Sequence, residues 1–364
     1  MDPINIFEYE SLAKEKLPKE QYDFIAGGAT DEITIRRTRE IWDSILLKPR
    51  MLEDVSKIDI TTTVLGIQMR TPIMIDPTGD HARAHVLAEA ATAKAAAAEG
   101  LLMFVSSAAR LTLEQVAEAA SGPKVFQQYL YRDPELSLEF ANRAIAAGYS
   151  AICITVDSKV KPKRERNIRN KYVSVSPPNY DAIKLKPYSW EFTPDAPAGL
   201  NDIRDPGATW DHLDWFIKSA PLPVVLKGIM TAKDAILAVA HGASGIIISN
   251  HGGRQLDTTY STIEVLPEIV DAVNDDCEVY LDGGIRRGSD VLKALALGAR
   301  SVLIGRPVFW GLAVNGEEGV RDVVRILVEA LEMTMAMCGK AKLSDLKRDM
   351  VGWGSPLDRI LNSP

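Results

Sequence analysis

From about Pro72 onward, short apolar runs rich in β-branched residues alternate with stretches whose apolar positions recur every three to four residues. This is the rhythm of strands and helices in βαβ units. Eight runs read as strands: Ile73–Ile75, Leu102–Val105, Val125–Tyr129, Ala151–Val156, Val224–Lys227, Gly245–Ser249, Glu278–Leu281 and Ser301–Ile304. Eight strands with helices between them favour a closed (β/α)8 TIM barrel, because closure removes the two edges an open sheet would have to protect. The helical stretches carry local signals of their own. Leu87 to Glu99 is rich in Ala, Thr112 to Ala119 opens with the Thr-x-x-Gln pattern of a capping box, and Ala232 to Ala240 follows Thr231 as an N-cap.

Two segments break the rhythm. Residues 1–65 carry helical patterns over Phe7–Leu17 and Lys19–Ile25, then Gly27-Gly28, and read as an N-terminal helical cap on the barrel. Residues 158–209 are rich in Lys, Pro and Tyr and contain no barrel element. A loop of that length after the fourth strand falls at the C-terminal face, where barrel active sites gather, and reads as a lid. The expected organisation is one domain over 1–364, with the barrel over 66–340.

Composition narrows the function more than the fold. The chain of 364 residues is 46% hydrophobic and 25% charged, an ordinary globular balance. A net charge of -7 with dispersed Lys and Arg argues against nucleic-acid binding. Cys153, Cys277 and Cys338 are too few and too scattered for a disulfide framework or a zinc site, so reduced thiols and no metal are expected. With no signal peptide, no long apolar span and no Ser-Lys-Leu ending, the cytoplasm is the expected location and no membrane partner is expected.

Candidate chemistry clusters at the ends of the predicted strands. Ser249-Asn250-His251-Gly252-Gly253-Arg254-Gln255-Leu256-Asp257 follows the sixth and sets a titratable base three residues from a permanent cation. Oxidising a 2-hydroxy acid needs a proton acceptor and a group to hold the carboxylate, and the planar fork of Arg suits the second task. Asp157 and Arg164 follow the fourth strand, where Asp157 can orient His251 and Arg164 can complete a carboxylate clamp. In the run Lys159 to Arg166 several charges read simply as a solvated face. Asp282-Gly283-Gly284-Ile285-Arg286 after the seventh strand and Gly305-Arg306 after the eighth form the phosphate site common to this barrel. Lys227 ends the fifth strand, where a cation can stabilise charge on a reduced isoalloxazine ring. Gln127, Tyr129 and Thr155 lie at strand ends with polar groups for a flavin edge or a substrate oxygen.

From Tyr22-Asp23-Phe24-Ile25-Ala26-Gly27-Gly28 to about Met337 the chain resembles the FMN-dependent 2-hydroxy acid oxidase and dehydrogenase family, most specifically over Ser249–Asp257, Leu281–Gly288 and Ile304–Pro307. The resemblance implies FMN as cofactor, His251 as base with Asp157 as its partner, Arg164 and Arg254 as the clamp, and Tyr129 on the substrate α-oxygen. It also implies FMN contacts from Pro77, Thr78, Gly79, Ser106, Gln127, Thr155, Lys227, Ser249, Asp282, Gly284, Arg286, Gly305 and Arg306, and a homotetramer. His251 accepts the hydroxyl proton in one scheme for such enzymes and the carbon proton in another.

Several residues depart from the glycolate oxidase pattern. Phe24 stands in place of a Tyr that would touch the carboxylate, Ala108 in place of a pocket-filling Trp, and Lys161-Pro162 in place of Leu-Gly. Phe24, Ala108 and Lys161 therefore join Tyr129, Arg164, His251 and Arg254 as expected substrate neighbours. Asp76, Asp80, His81 and Arg83 have no counterpart in that pattern. The expected reaction is oxidation of an (S)-2-hydroxy acid bulkier than glycolate, mandelate-like or branched, with O2 as acceptor giving H2O2. The rivals are a dehydrogenase or internal monooxygenase of the same family, towards which Gly79 points, and a flavin- or phosphate-binding barrel without redox turnover.

Overall fold

The computed structural model describes residues 2–172, 175–181 and 204–354. Three helices come first: α1 (Ile6–Lys16), α2 (Lys19–Ala26) and α3 (Ile33–Ser44). The sequence pattern anticipates the first two and gives no sign of the third. Strand β1 (Ile45–Leu47) follows, then the hairpin of β2 (Thr62–Val64) and β3 (Ile67–Met69).

The barrel is closed and parallel throughout. Its strands are β4 (Ile73–Ile75), β5 (Met103–Ser106), β6 (Lys124–Gln128), β7 (Ala151–Thr155), β8 (Val224–Ile229), β9 (Gly245–Ile248), β10 (Glu278–Leu281) and β11 (Ser301–Ile304), with β11 pairing back to β4. These are the eight runs read from the sequence, three with the same ends and the others with ends shifted by one or two residues. The fifth extends past Lys227 because Gly228, at φ 109°, lets the strand break register between Lys227 and Ile229.

Between the strands run α4 (Ala88–Glu99), α5 (Leu113–Ala119), α6 (Pro134–Ala146), α7 (Glu165–Arg169), α8 (Pro178–Asp181), α9 (Trp210–Ser219), α10 (Ala232–Ala240), α11 (Thr262–Val273) and α12 (Gly288–Ala296). The last, α13 (Arg306–Met337), breaks at Asn315 and Gly316, where the backbone leaves helical values. The caps anticipated from sequence are present. Thr112 Oγ1 accepts the Gln115 N–H at 3.3 Å while Gln115 Oε1 accepts the Thr112 N–H at 2.9 Å, and Thr231 Oγ1 accepts the Asp234 N–H at 3.1 Å. Near the C-terminal end β12 (Val351–Trp353) returns to pair antiparallel with β1.

Strand alternation sorts the barrel residues into two sets. Ile73, Ile75, Val105, Phe126, Ile152, Leu226, Ile248 and Val302 face the helices, whereas Met74, Phe104, Val125, Cys153, Val225, Ile247, Tyr280 and Leu303 fill the lumen. Val64 and Met69 of the hairpin join the lumen cluster and close its floor. The lumen is thus a packed core, and whatever the protein binds must sit at the opposite, C-terminal mouth.

The described part of the expected lid lies over that mouth. The Lys163 carbonyl accepts the Thr30 N–H at 2.9 Å, and Tyr180 on α8 shares hydrogen bonds of 3.0 Å with Ser107 and Tyr131. The rest of the lid segment, residues 173–174 and 182–203, lies outside the described residues. Among the described residues no helix is long and apolar enough to cross a membrane.

Candidate active site

One step up each strand from the lumen residues, the same alternation brings eight positions to one level. They are Asp76, Ser106, Gln127, Thr155, Lys227, Ser249, Asp282 and Gly305, each two residues beyond a lumen side chain. Hydrogen bonds link this ring into two arcs. Ser106 donates to Gln127 Oε1 at 3.0 Å, and Gln127 Nε2 donates to Thr155 Oγ1 at 2.8 Å. On the other side Lys227 Nζ donates to Ser249 Oγ at 2.8 Å and lies 2.6 Å from Asp282 Oδ2, which also accepts the Ser249 hydroxyl at 2.7 Å. Burial works against the Lys227 charge, but Asp282 and Asp76 outweigh it and hold the ammonium protonated. Lys227 is therefore a fixed buried cation rather than a chain snorkelling to water.

Above the ring stands the base. His251 adopts a left-handed backbone at φ 59°, its N–H donates to Ser249 Oγ at 3.1 Å, and its Nδ1 lies 3.0 Å from Asp157 Oδ1. Burial lowers the His251 pKa against the pull of Asp157, with Lys227 and Arg164 adding to the lowering, so the imidazole is neutral at pH 7. Asp157 is held below the usual carboxylate range because His251 and Lys227 outweigh its burial. The close fit of Gly228 secures this pair, since a Cβ there would meet Asp157 Cβ at 2.7 Å.

Four arginines crowd the same space. Arg254 Nη1 donates to the carbonyls of Phe24 at 2.7 Å and Gly27 at 2.8 Å, and Arg164 Nε donates to the Arg254 carbonyl at 3.1 Å. Arg306 donates to the carbonyls of Ile25, Gly27 and Gly252, and Arg286 to that of Ile285. Among the described residues none of the four has a carboxylate within ion-pair distance. Burial lowers all of them, Arg306 to about 10 and Arg254 well below its ordinary value, with Arg164 and Arg306 adding to the Arg254 shift. Half-buried cations bonded to backbone carbonyls and without a carboxylate partner make a strong field for anions.

A cavity of about 1300 Å³ joins these parts, more than the roughly 300–1,000 Å³ usual for one small ligand. Of the sequence-predicted residues, Phe24, Pro77, Thr78, Gly79, Ser106, Ala108, Gln127, Tyr129, Thr155, Lys161, Arg164, Lys227, His251, Arg254, Asp282, Gly284, Arg286, Gly305 and Arg306 line it. Asp157 and Ser249 stand just behind, holding His251 and Lys227. The donor set fits FMN. Two half-buried cations, Arg286 and Arg306, lie at a helix N-terminus at the phosphate end, and a polar floor with Lys227 faces where a ring would lie.

The unusual residues after β4 divide into three roles. His81 is buried, its ring bonded to Thr78 Oγ1 at 2.8 Å and Thr92 Oγ1 at 2.9 Å, so it braces the Pro77–Thr78 turn. Asp80 lies 2.8 Å from Arg83 Nε and 3.2 Å from Arg110 Nε. The Arg83 guanidinium carbon sits 4.5 Å from the ring centroids of both Phe24 and Tyr172, and Nη1 donates to Gln21 at 2.8 Å. Phe24 therefore does more than lack a hydroxyl: its ring also takes the Arg254 guanidinium at 5.2 Å. Asp76 belongs to the ring itself.

Sequence reasoning missed the supports. Asp257, quoted there without a role, accepts the N–H groups of Ile33 and Thr34 at 3.2 and 2.8 Å and the Thr30 hydroxyl at 3.0 Å, capping α3 from across the chain. Helix α3 in turn braces the phosphate loop. Trp42 Nε1 donates to the Gly283 carbonyl at 2.9 Å, and Arg39 grips Asp290, which accepts the N–H groups of Arg286 and Arg287.

Known proteins resemble this chain over nearly its whole length. The family profile described as FMN-dependent dehydrogenase matches residues 13–353. An L-lactate oxidase of Nostoc sp. is 47% identical over 354 residues, 94% of this chain and 96% of that protein. A peroxisomal (S)-2-hydroxyacid oxidase of Arabidopsis thaliana is 43% identical over 352 residues, 96% of each. A crystal structure of mandelate oxidase superposes with a TM-score of 0.88 at 36% identity, covering 97% of this chain and 99% of that one. A match of this extent, over a barrel whose mouth carries the cation ring and the base described above, means that the chain belongs to the FMN-dependent dehydrogenase family.

Proposed function

We propose that the protein is an FMN-dependent oxidase converting an (S)-2-hydroxy acid to the 2-oxo acid, with O2 reduced to H2O2. The observation that carries this reading is the His251–Asp157 hydrogen bond set beside Arg164 and Arg254, two half-buried cations bonded to backbone carbonyls. A 2-hydroxy carboxylate brings both an anion for the arginines and a proton for the base. In this reading the arginines hold the carboxylate, Tyr129 bonds the α-oxygen, and His251 takes a proton while Asp157 stabilises the imidazolium.

Arg286, Arg306, Gly284 and Gly305 would hold the FMN phosphate. Pro77, Thr78, Gly79, Ser106, Gln127 and Thr155 would meet the ring, and Lys227, fixed by Ser249 and Asp282, would meet its electron-rich edge. Bound there, FMN supplies the two-electron acceptor that the side chains lack. Gly79 has a local steric cause, since a Cβ there would meet the Ala108 carbonyl oxygen at 2.9 Å. It therefore lends no weight to the dehydrogenase or monooxygenase alternative.

Ala108 and Phe24 favour a side chain larger than that of glycolate, aromatic or branched. The reading extends to one catalytic domain over 1–364, a homotetramer and a cytoplasmic location. Gel filtration with light scattering checks the subunit count.

The chromophore released on denaturation is expected to be FMN. Anaerobic mixing with glycolate, lactate and mandelate is expected to bleach it, and aerobic turnover to give one H2O2 per O2. His251→Ala is expected to keep FMN and slow bleaching by about 10²–10⁴. A flavin that stays oxidised with every acid, or a His251→Ala protein within a few-fold of wild type, would overturn the proposal.

A further inference from the structure

The ring at the barrel mouth has one member with no obvious task. Ser106, Gln127 and Thr155 are neutral donors and acceptors, Gly305 leaves space, and Lys227 is matched by Asp282. Asp76 adds a second carboxylate to the same ammonium. Its backbone is locked, the N–H donating to the Ile304 carbonyl at 3.0 Å and the carbonyl accepting the Thr78 N–H at 2.7 Å. Its Oδ1 lies 3.6 Å from Lys227 Nζ, too far for a hydrogen bond, and is a buried oxygen with no hydrogen-bond partner. Asp282 Oδ1 is likewise buried and unpartnered. A carboxylate oxygen buried without a partner needs a reason, because an unsatisfied polar atom is costly.

Nothing else nearby neutralises it. The charged or titratable groups facing Asp76 are Lys227 on β8, Asp282 after β10, Cys153 on β7 and Asp157 just after it. Strands β5 and β6 contribute only the neutral Ser106 and Gln127. Arg306, on the adjoining turn, directs its guanidinium to the carbonyls of Ile25, Gly27 and Gly252, and His81 beyond Thr78 bonds to Thr92. One lysine therefore faces two carboxylates, and the cluster carries a net negative charge where an FMN ring must accept electrons.

We infer that Asp76 tunes FMN through Lys227: as a carboxylate it shares the lysine's charge and opposes electron uptake, and on reduction it takes a proton from cavity water, returning that charge to the ring. Burial supports the second half, raising the Asp76 carboxyl to about 7, with Lys227 opposing the rise and Asp282 and Asp157 adding to it. The step is a proton transfer alone: a hydronium ion or buffer acid of the solvent gives up its proton, leaving water or the buffer base, and the carboxylate becomes the carboxylic acid. Asp76 thus acts as a positioning residue through Lys227, and the inference rests on the FMN reading above.

The test is the midpoint potential of FMN in the holoenzyme, measured by spectroelectrochemistry from pH 5.5 to 9 for wild type, Asp76→Asn and Asp76→Ala. Below neutrality the three profiles are expected to meet, because Asp76 is already neutral. Above neutrality the wild type is expected to fall more steeply. At pH 9 and a fixed potential both variants should show at least about a tenfold higher ratio of reduced to oxidised protein. Parallel profiles, or an offset constant with pH, would overturn the inference and leave Asp76 a structural residue. So would loss of FMN from both variants. A wild-type protein that holds no FMN would remove the functional reading as well, whereas parallel profiles in an FMN-bearing protein remove only this one.

Discussion

At the scale of single residues, a position's role follows from which side of its strand it occupies and what already satisfies it. His251, Arg254 and Lys227 could be picked out because a base, a planar cation and a lone ammonium at strand ends are chemically conspicuous. The part Phe24 plays could not. Its ring seats Arg83 and Arg254, and neither contact has any trace in the local sequence. Ala108 is the sharpest test of the pocket, since it lines the cavity with only a methyl group. Ala108→Trp is expected to lower kcat/KM for mandelate by one to two orders of magnitude relative to glycolate. Burial of a phenyl group is worth roughly 1.5–3 kcal/mol and the indole would occupy that space. Steady-state kinetics on both acids in one assay checks it; an unchanged ratio would show that residue 108 does not limit the side chain.

At the scale of elements, α3 is the clearest case of a helix hidden from its own sequence. Two of its three buried residues are Thr34 and Thr38, so its inner face lacks a strong apolar stripe, and Glu32 at its start provides no side-chain cap. Asp257, on the loop after β9, supplies the cap instead. Asp257→Ala is expected to cost about 1–3 kcal/mol, read as a lower urea midpoint at unchanged slope. The pH dependence has a definite sign. The backbone N–H groups of Thr34, Thr258 and Ile33 and the Thr30 hydroxyl outweigh the cost of burial and hold the Asp257 carboxyl below its unfolded value. Its contribution is therefore fully present above about pH 4 and is lost as pH falls through the lower folded value. Wild type and variant should differ at pH 7 and converge in acid. Equal midpoints at pH 7 would dismiss the remote cap.

At the scale of the whole molecule, Arg254 and Arg306 tie the segment after α2, the loop after β9 and the phosphate loop after β11 around one cavity. Binding of an anionic cofactor at that junction must then stabilise the entire fold. FMN added to the apoprotein at 100 times its Kd is expected to contribute about 2.7 kcal/mol, seen as a higher Tm. Arg306→Ala is expected to weaken FMN binding at least about tenfold, or about 1.4 kcal/mol, and to shrink the rise in Tm accordingly. Flavin fluorescence quenching gives the Kd, and differential scanning calorimetry the Tm. An Arg306→Ala protein that binds FMN as tightly as wild type would place the phosphate elsewhere.

The sequence alone determined the barrel, because eight apolar runs separated by helical periods leave closure as the economical way to bury them, and strand alternation carries their end residues to one mouth. It also determined which residue types stand there, from the glycine-arginine loops to the base after β9. Only the tertiary structure decided what supports them. The capping of α3 by Asp257, the bracing of the phosphate loop by Trp42 and Arg39, and the Asp76 carboxylate beside Lys227 all join residues more than 150 positions apart. No local pattern encodes such contacts. Strand periodicity depends on neighbours in sequence and survives in one dimension, whereas hydrogen-bond satisfaction of a buried charge depends on whichever groups the fold brings within about 3 Å.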